Sequence, residues 1–120
     1  ILIKSNLPLL PLFYFINFTG LSSLIVCRKV FDYGFFDEAT QFHGVEDFLF
    51  IKNLFEHRCK YFYLNRILSL WRDTPNSISS NKRNQIRKVI LGLSQRPSHS
   101  PFLNIARFMS IIYYRIRILF

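Results

Sequence analysis

The residues best suited to chemistry in this chain are two adjacent carboxylates, Glu46 and Asp47. They follow Gly44 closely and precede an apolar run, so we expect them to open a helix after a short loop. Unpaired N–H groups at a helix N-terminus favour the ionised form of a carboxylate. An ionised Asp at the lip of a loop could act as a general base towards a hydroxyl group. Acids in a first turn are also ordinary helix caps, and spacing alone leaves both interpretations open.

The histidines and cysteines form no pattern typical of a metal site or a catalytic nucleophile. His43, His57 and His99 share no ligand spacing, which favours surface or loop positions. Cys27 and Cys59 have no C-x-x-C spacing, and we expect two small buried hydrophobic side chains in a reduced compartment.

The elements that would position the acids are predicted from hydrophobic periodicity. We expect a loop and a buried strand within residues 1–18, a short strand at 21–26 and two short strands within 60–72. Between them, the period indicates an amphipathic helix from Glu46 to Cys59. Its apolar face would carry Phe48, Ile51, Leu54, Phe55 and Cys59, and its polar face Lys52, Asn53, Glu56 and Arg58.

Two basic helices are predicted to close the chain. Residues 74–120 contain eight Lys and Arg and no acid, and so supply +8 of the net charge of +9. Ser79 or Ser80 would cap the first helix, which carries Ile86, Val89, Ile90 and Leu93 on one face and Lys82, Arg83, Arg87 and Lys88 on the other. The second would run through residues 102–120, with a polar stripe at Asn104, Arg107, Ser110, Tyr114 and Arg117.

The order of motifs over about residues 18–80 resembles the acceptor-side half of family 2 glycosyltransferases of the GT-A fold. The matching pieces are a G-x-F-D-E-like element (Gly34, Phe36, Asp37, Glu38), the Glu46-Asp47 pair opening a helix, Trp71-Arg72 after a strand, and Ser77-x-Ser79. The resemblance implies a mixed α/β fold: an incomplete GT-A-like sheet, a packed helix and two C-terminal helices. It also implies an acceptor-side unit at 1–75, followed by basic amphipathic helices at 76–120.

The same resemblance implies an inverting sugar transfer in which Asp47 is the general base. Glu46, Trp71 and Arg72 would then bind the acceptor. Trp71 as a core aromatic and Arg72 in a structural ion pair are equally open interpretations. The substrates would be a nucleotide-sugar donor and a saccharide or lipid-linked acceptor, on the cytoplasmic side and peripheral to the membrane.

Two departures from that family shape the expectation. No D-x-D motif occurs, so this chain would hold no cofactor, although Mg²⁺ or Mn²⁺ is expected for a full-length enzyme. No donor-binding half precedes Ile1, which predicts an inactive fragment with an open sheet edge and exposed Phe-rich faces. The alternative is a small basic, non-catalytic subunit of a larger organellar or ribosome-like assembly.

The basic C-terminal region leaves several partners open. Plain packing against the rest of the chain is one, and a membrane surface bound through residues 102–120 is another, since Arg residues there accompany a wide apolar face. Nucleic acid is disfavoured because the sequence carries no zinc-finger, RNP or helix-turn-helix pattern.

Overall fold

The computed structural model describes residues 2–4, 9–17, 19–64, 66–70, 72, 74, 77 and 81–119. In these ranges the regular elements are β1 (Leu2–Lys4), α1 (Leu9–Phe15), α2 (Glu46–Glu56), β2 (Phe62–Leu64), α3 (Lys82–Gln95) and α4 (Pro101–Leu119). Three 3₁₀ segments connect α1 to α2, at Leu21–Ser23, Arg28–Tyr33 and Thr40–Phe42.

The prediction of a mixed α/β protein with an incomplete GT-A-like sheet is wrong, because the described part of the chain is predominantly helical. Its strands β1 and β2 have three residues each and pair antiparallel, with Ile3 opposite Tyr63. Open α/β folds place ligands at the carboxyl ends of parallel strands. The described residues offer no such edge, and the candidate site residues among them lie on helices and their connections.

The buried strand expected within residues 1–18 is the helix α1 instead. Pro11 is compatible with this helix because it lies in the first turn, where its missing N–H has no helical partner to lose. Phe13 and Tyr14, later in α1, are fully buried. This segment therefore supplies the centre of the core as a helix.

The strand predicted at residues 21–26 is also absent. The Ser23 hydroxyl donates to the Gly20 carbonyl at 2.8 Å, and this contact closes the 3₁₀ turn at Leu21–Ser23. The side chain of Ile25 is almost wholly exposed, whereas a buried strand would have hidden it. Cys27 is likewise exposed, contrary to expectation, and Cys59 is partly buried.

The predicted α2 begins at the expected residue and ends one turn early. Arg58 has a positive φ of 53°, which a helix cannot include, so the chain turns there before Cys59. Of the two strands expected within residues 60–72, the described residues of that range form β2 alone. Residues 66–70 carry no regular structure, and Ile67, Leu68 and Leu70 are exposed.

Both C-terminal helices are present. Asn81 caps α3 by accepting from the Asn84 N–H at 3.0 Å; the predicted caps Ser79 and Ser80 lie outside the described residues. One core joins both sides of the proposed boundary at residue 75: α4 packs on α1 and α3, and buried residues come from all four α-helices. Its members are Phe13, Tyr14, Phe42, Val45, Phe48, Leu49, Phe50, Ile51, Leu54, Leu93, Ile111 and Tyr114.

Candidate functional site

The two candidate acids open α2 as the sequence predicts, and both side chains are partly buried. The Gly44 N–H donates to a carboxylate oxygen of Glu46, so this side chain closes the turn in front of the helix. The Phe48 N–H donates to Asp47 Oδ1 at 2.7 Å. Each acid therefore has a local capping contact, which is the structural role that spacing alone left open.

Burial raises the pKa of the Asp47 carboxyl above its ordinary value of 3.8, and the neighbouring Glu46 raises it further. The hydrogen bond from the Phe48 N–H acts in the opposite direction but is the smaller effect. This reverses the expectation from the helix N-terminus, because removing water from a carboxylate disfavours its charged form more than one turn of N–H groups favours it.

Of the other two predicted acceptor-binding residues, only Arg72 is among the described residues, and it does not contact these acids. Arg72 is exposed, and within the described part of the chain no hydrogen bond or ion pair joins it to Glu46 or Asp47. Trp71 lies outside the described residues. Among the described residues, the part of the predicted site that comes together is therefore the pair of adjacent acids, Glu46 and Asp47.

A cleft of about 360 Å³ lies elsewhere, between α2 and the connection from α3 to α4. An ion pair between Asp37 and Arg96 lies among its lining residues, with Tyr33, Phe35 and His99. Asn53 fixes one wall by donating from Nδ2 to the Tyr33 carbonyl at 2.7 Å. Asp47 and Glu46 do not line this cleft.

A buried ion pair forms part of the cleft wall. Lys52 Nζ lies 2.9 Å from Glu56 Oε1, and these side chains are only 4 % and 5 % exposed. Tyr14 donates its hydroxyl to the same Glu56 oxygen at 2.7 Å. Burial and this carboxylate both raise the pKa of Tyr14, which therefore stays protonated and remains a donor.

The inward position of Lys52 and Glu56 contradicts the prediction that they face away. A signal was present in the sequence: Phe48, Leu49, Phe50 and Ile51 follow one another, so α2 is apolar all round its first turns. Such a helix is buried on every side, and its charged residues must then pair with each other.

The described ranges contain no group of three or more His, Cys, Asp or Glu residues placed to hold a metal ion. The rings of His57 and His99 do approach to 5.9 Å, although sequence spacing gave no sign of it. His57 also contacts Tyr33, with 5.0 Å between ring centroids.

A row of exposed apolar side chains lies on the side of α4 that points away from the protein. We call it the outward face; its side chains are 40–77 % exposed and every one is apolar or aromatic. At about 100° per residue they cover an arc of about 140° with no polar residue inside it. The members are Phe102, Ile105, Phe108, Met109, Ile112, Tyr113, Ile116 and Leu119.

Four members of the predicted polar stripe, Asn104, Arg107, Ser110 and Tyr114, lie on the side of α4 that faces the protein, whereas the fifth, Arg117, is exposed. Arg107 donates to the Leu93 carbonyl at 2.5 Å and to Asn104 Oδ1 at 3.0 Å. Asn104 also exchanges two hydrogen bonds with the backbone of Ser98, at 2.8 and 2.9 Å. These contacts tie the start of α4 to the end of α3.

Further along α4, two more polar side chains are buried and hydrogen-bonded to backbone carbonyls. Ser110 is fully buried and donates to the Arg107 carbonyl at 2.8 Å. Tyr114 donates to the Phe15 carbonyl at 3.0 Å, and burial raises its pKa to about 12. The hydroxyl is therefore protonated at neutral pH and holds α4 against α1. These polar side chains therefore face the protein together with the buried Ile111, while the outward face meets solvent.

None of the described helices combines the length and apolar character needed to cross a bilayer. Comparison with known proteins found no matching protein-family model, no matching curated protein and no matching solved structure.

Proposed function

We propose that this protein binds a lipid bilayer surface, with α4 lying in the plane of the interface. The observation that carries the proposal is the outward face, a continuous apolar arc along a helix of nineteen residues. Soluble proteins rarely expose an apolar patch of this kind unless it contacts a partner or a membrane. The roughly five turns of α4 give the helix a length of about 28 Å.

Its composition favours lipid over a protein partner. Protein–protein interfaces carry about one hydrogen bond per 100–200 Å², and so need polar atoms within or around the contact area. Within the arc, the Tyr113 hydroxyl is the one polar side-chain group, and it lies at the edge of the face. Helices that lie in a membrane interface have this wide aromatic and aliphatic face.

The inward polar contacts support the same proposal. Because Arg107, Asn104 and Tyr114 bind α4 to the rest of the protein, the helix need not leave the fold to present its apolar side. The outward face is already formed, so binding would not require ordering a helix at the membrane.

The test is vesicle co-sedimentation of the Ile105→Gln/Ile112→Gln variant, which changes the centre of the outward face and keeps good helix formers. Burying an Ile side chain contributes about 1.5–3 kcal/mol, so we expect binding to phosphatidylcholine/phosphatidylglycerol vesicles to weaken by at least about tenfold. Ile67→Gln/Leu68→Gln is the matched control, because those side chains are exposed outside α4.

Two results would contradict the proposal. One is equal loss of vesicle binding in the control variant, which would mean that any exposed apolar residue suffices. The other is a protein that ignores vesicles but self-associates through this face, which would assign α4 to a protein contact. Circular dichroism on each variant checks that the helices persist.

The transferase hypothesis remains a prediction with its fold-based support removed. Asp47 opens a helix and is partly accessible, as that hypothesis requires. The subunit hypothesis also stays a prediction, and it shares with membrane binding the need for a partner that covers α4. Self-association or protein capture by the outward face, without lipid binding, would favour it.

A further inference from the structure

We infer that the membrane is anionic and that Arg115 and Arg117 bind its headgroup phosphates along opposite edges of the outward face. The inference rests on the proposed function, because it names the lipid that this face selects. Both arginines are exposed, and neither is used by the fold in a hydrogen bond or ion pair within the described residues.

The positions of the two arginines follow from helix geometry. At about 100° per residue, Arg115 lies about 20° beyond Phe108 at one edge of the arc. Arg117 lies about 40° beyond Tyr113 at the other edge, by the same rotation. The apolar arc is therefore bordered on both sides by a cation, and both cations belong to the last two turns of α4.

A guanidinium in this position suits a lipid phosphate. Its aliphatic stem can lie along the apolar surface while the charged end remains at the level of the headgroups. The planar fork then offers two parallel N–H donors to phosphate oxygens, which an ammonium cannot match. Arg115 and Arg117 would thus bind headgroups on either side of the inserted helix.

The surrounding charge favours an anionic partner over a neutral one. No acidic residue follows Asp73, so nothing on α3 or α4 neutralises these arginines. Arg107 is different, since it points inward and donates to the Leu93 carbonyl and to Asn104. The charge available to lipid on α4 is therefore at the C-terminal half of the helix.

The experiment compares two kinds of vesicle by co-sedimentation: phosphatidylcholine alone, and phosphatidylcholine with an equal amount of phosphatidylglycerol. We expect tighter binding to the anionic vesicles, and a decline with added NaCl as screening increases. Each arginine near an anionic surface contributes about fivefold, so Arg115→Gln/Arg117→Gln should weaken binding to the anionic vesicles by about 25-fold. Its binding to phosphatidylcholine alone should be nearly unchanged.

Two control variants distinguish the effect of the two arginines at the edges of the outward face from the effect of net charge. Arg83→Gln/Arg87→Gln removes the same charge from exposed positions on α3, and we expect it to keep most of the anionic preference. Arg115→Lys/Arg117→Lys keeps the charge without the fork, and we expect binding between those of the parent and the Gln variant.

The outcomes distinguish this inference from the proposed function. Equal binding to both vesicle types overturns the inference and leaves the proposed function intact. Binding to neither type overturns both. An equal loss in the α3 control variant also overturns the inference, because it would make the preference a property of overall charge.

Discussion

At the scale of single residues, burial decides what the charged groups can do. Asp47 is at the helix start that its sequence position predicts, yet its pKa is raised where the helix N-terminus alone would lower it. Lys52 and Glu56 have the spacing of a solvent-exposed pair and are buried together. Residue type gave the possible chemistry, but the local removal of water determined the charge state and the partner.

For Asp47, we expect stability to fall as pH rises through a window that begins at about 3.8. An acid whose pKa is higher in the folded state binds more protons there, so deprotonation favours unfolding. Asp47→Asn removes this contribution and keeps an oxygen that accepts from the Phe48 N–H. The variant should gain stability relative to the parent at about pH 7 and little at about pH 4, by urea unfolding.

The control for this prediction is Glu38→Gln, which makes the same charge change on an exposed side chain. An NMR titration of the Asp47 carboxyl carbon measures its pKa directly. A value at or below 3.8 would show that the side chain is better hydrated, or more strongly hydrogen-bonded, than its burial indicates.

For the buried pair, Glu56→Gln should reduce the free energy of unfolding by about 3–5 kcal/mol, because it leaves the Lys52 ammonium buried without a counter-ion. Adding Lys52→Met should recover much of the loss, since Met fills a similar volume and Gln still accepts from the Tyr14 hydroxyl. Urea unfolding of both variants measures the difference. A loss below about 0.5 kcal/mol for Glu56→Gln alone would mean that water reaches the pair.

At the scale of elements, close packing requires small residues where two helices are in direct contact. Gly92 of α3 is buried against Leu49 of α2, and a Cβ at Gly92 would lie 2.8 Å from Leu49 Cδ2. A glycine within a helix is unfavourable by itself. Its place here is explained by the contact between the two helices, which leaves no room for a methyl group.

We therefore expect Gly92→Ala to lower the free energy of unfolding by about 1 kcal/mol: crowding Leu49 is unfavourable by about 1–3 kcal/mol and the gain in helix propensity is about 1 kcal/mol. In a Leu49→Ala background the same substitution should stabilise, because the space is then free. Gly20→Ala is the control, since its Cβ would meet no atom closer than 3.8 Å. A stabilising Gly92→Ala in the parent chain would contradict the close contact.

At the scale of the whole molecule, the protein leaves much of its apolar surface outside the core. Its radius of gyration is 14.8 Å, against about 13.5 Å for a compact chain of this length. The exposed large apolar side chains lie mainly on α4 and at Ile67, Leu68 and Leu70. The incomplete GT-A-like sheet, to which the prediction assigned exposed Phe-rich faces, is not present in the described residues. An apolar helix face open to solvent is what makes membrane binding the better-supported proposal.

The sequence by itself determined the local elements whose signals are short-range. Hydrophobic period placed both C-terminal helices and the basic face of α3, and with the Glu46-Asp47 pair it placed the start of α2, because these depend on neighbours within one or two turns. It also fixed the charge imbalance, which needs only a count.

Tertiary structure decided everything that depends on which surface is covered. The apolar run within residues 1–18 was predicted to contain a buried strand, but its residues 9–15 form the helix α1, whose Phe13 and Tyr14 are buried in the core. The same holds for α4. Its sequence showed a polar and an apolar face, but the hydrogen bonds of Asn104, Arg107 and Tyr114 to backbone atoms outside the helix decided which face turned inward. Such long-range pairings leave no periodic trace in the sequence, so only the folded chain reveals them.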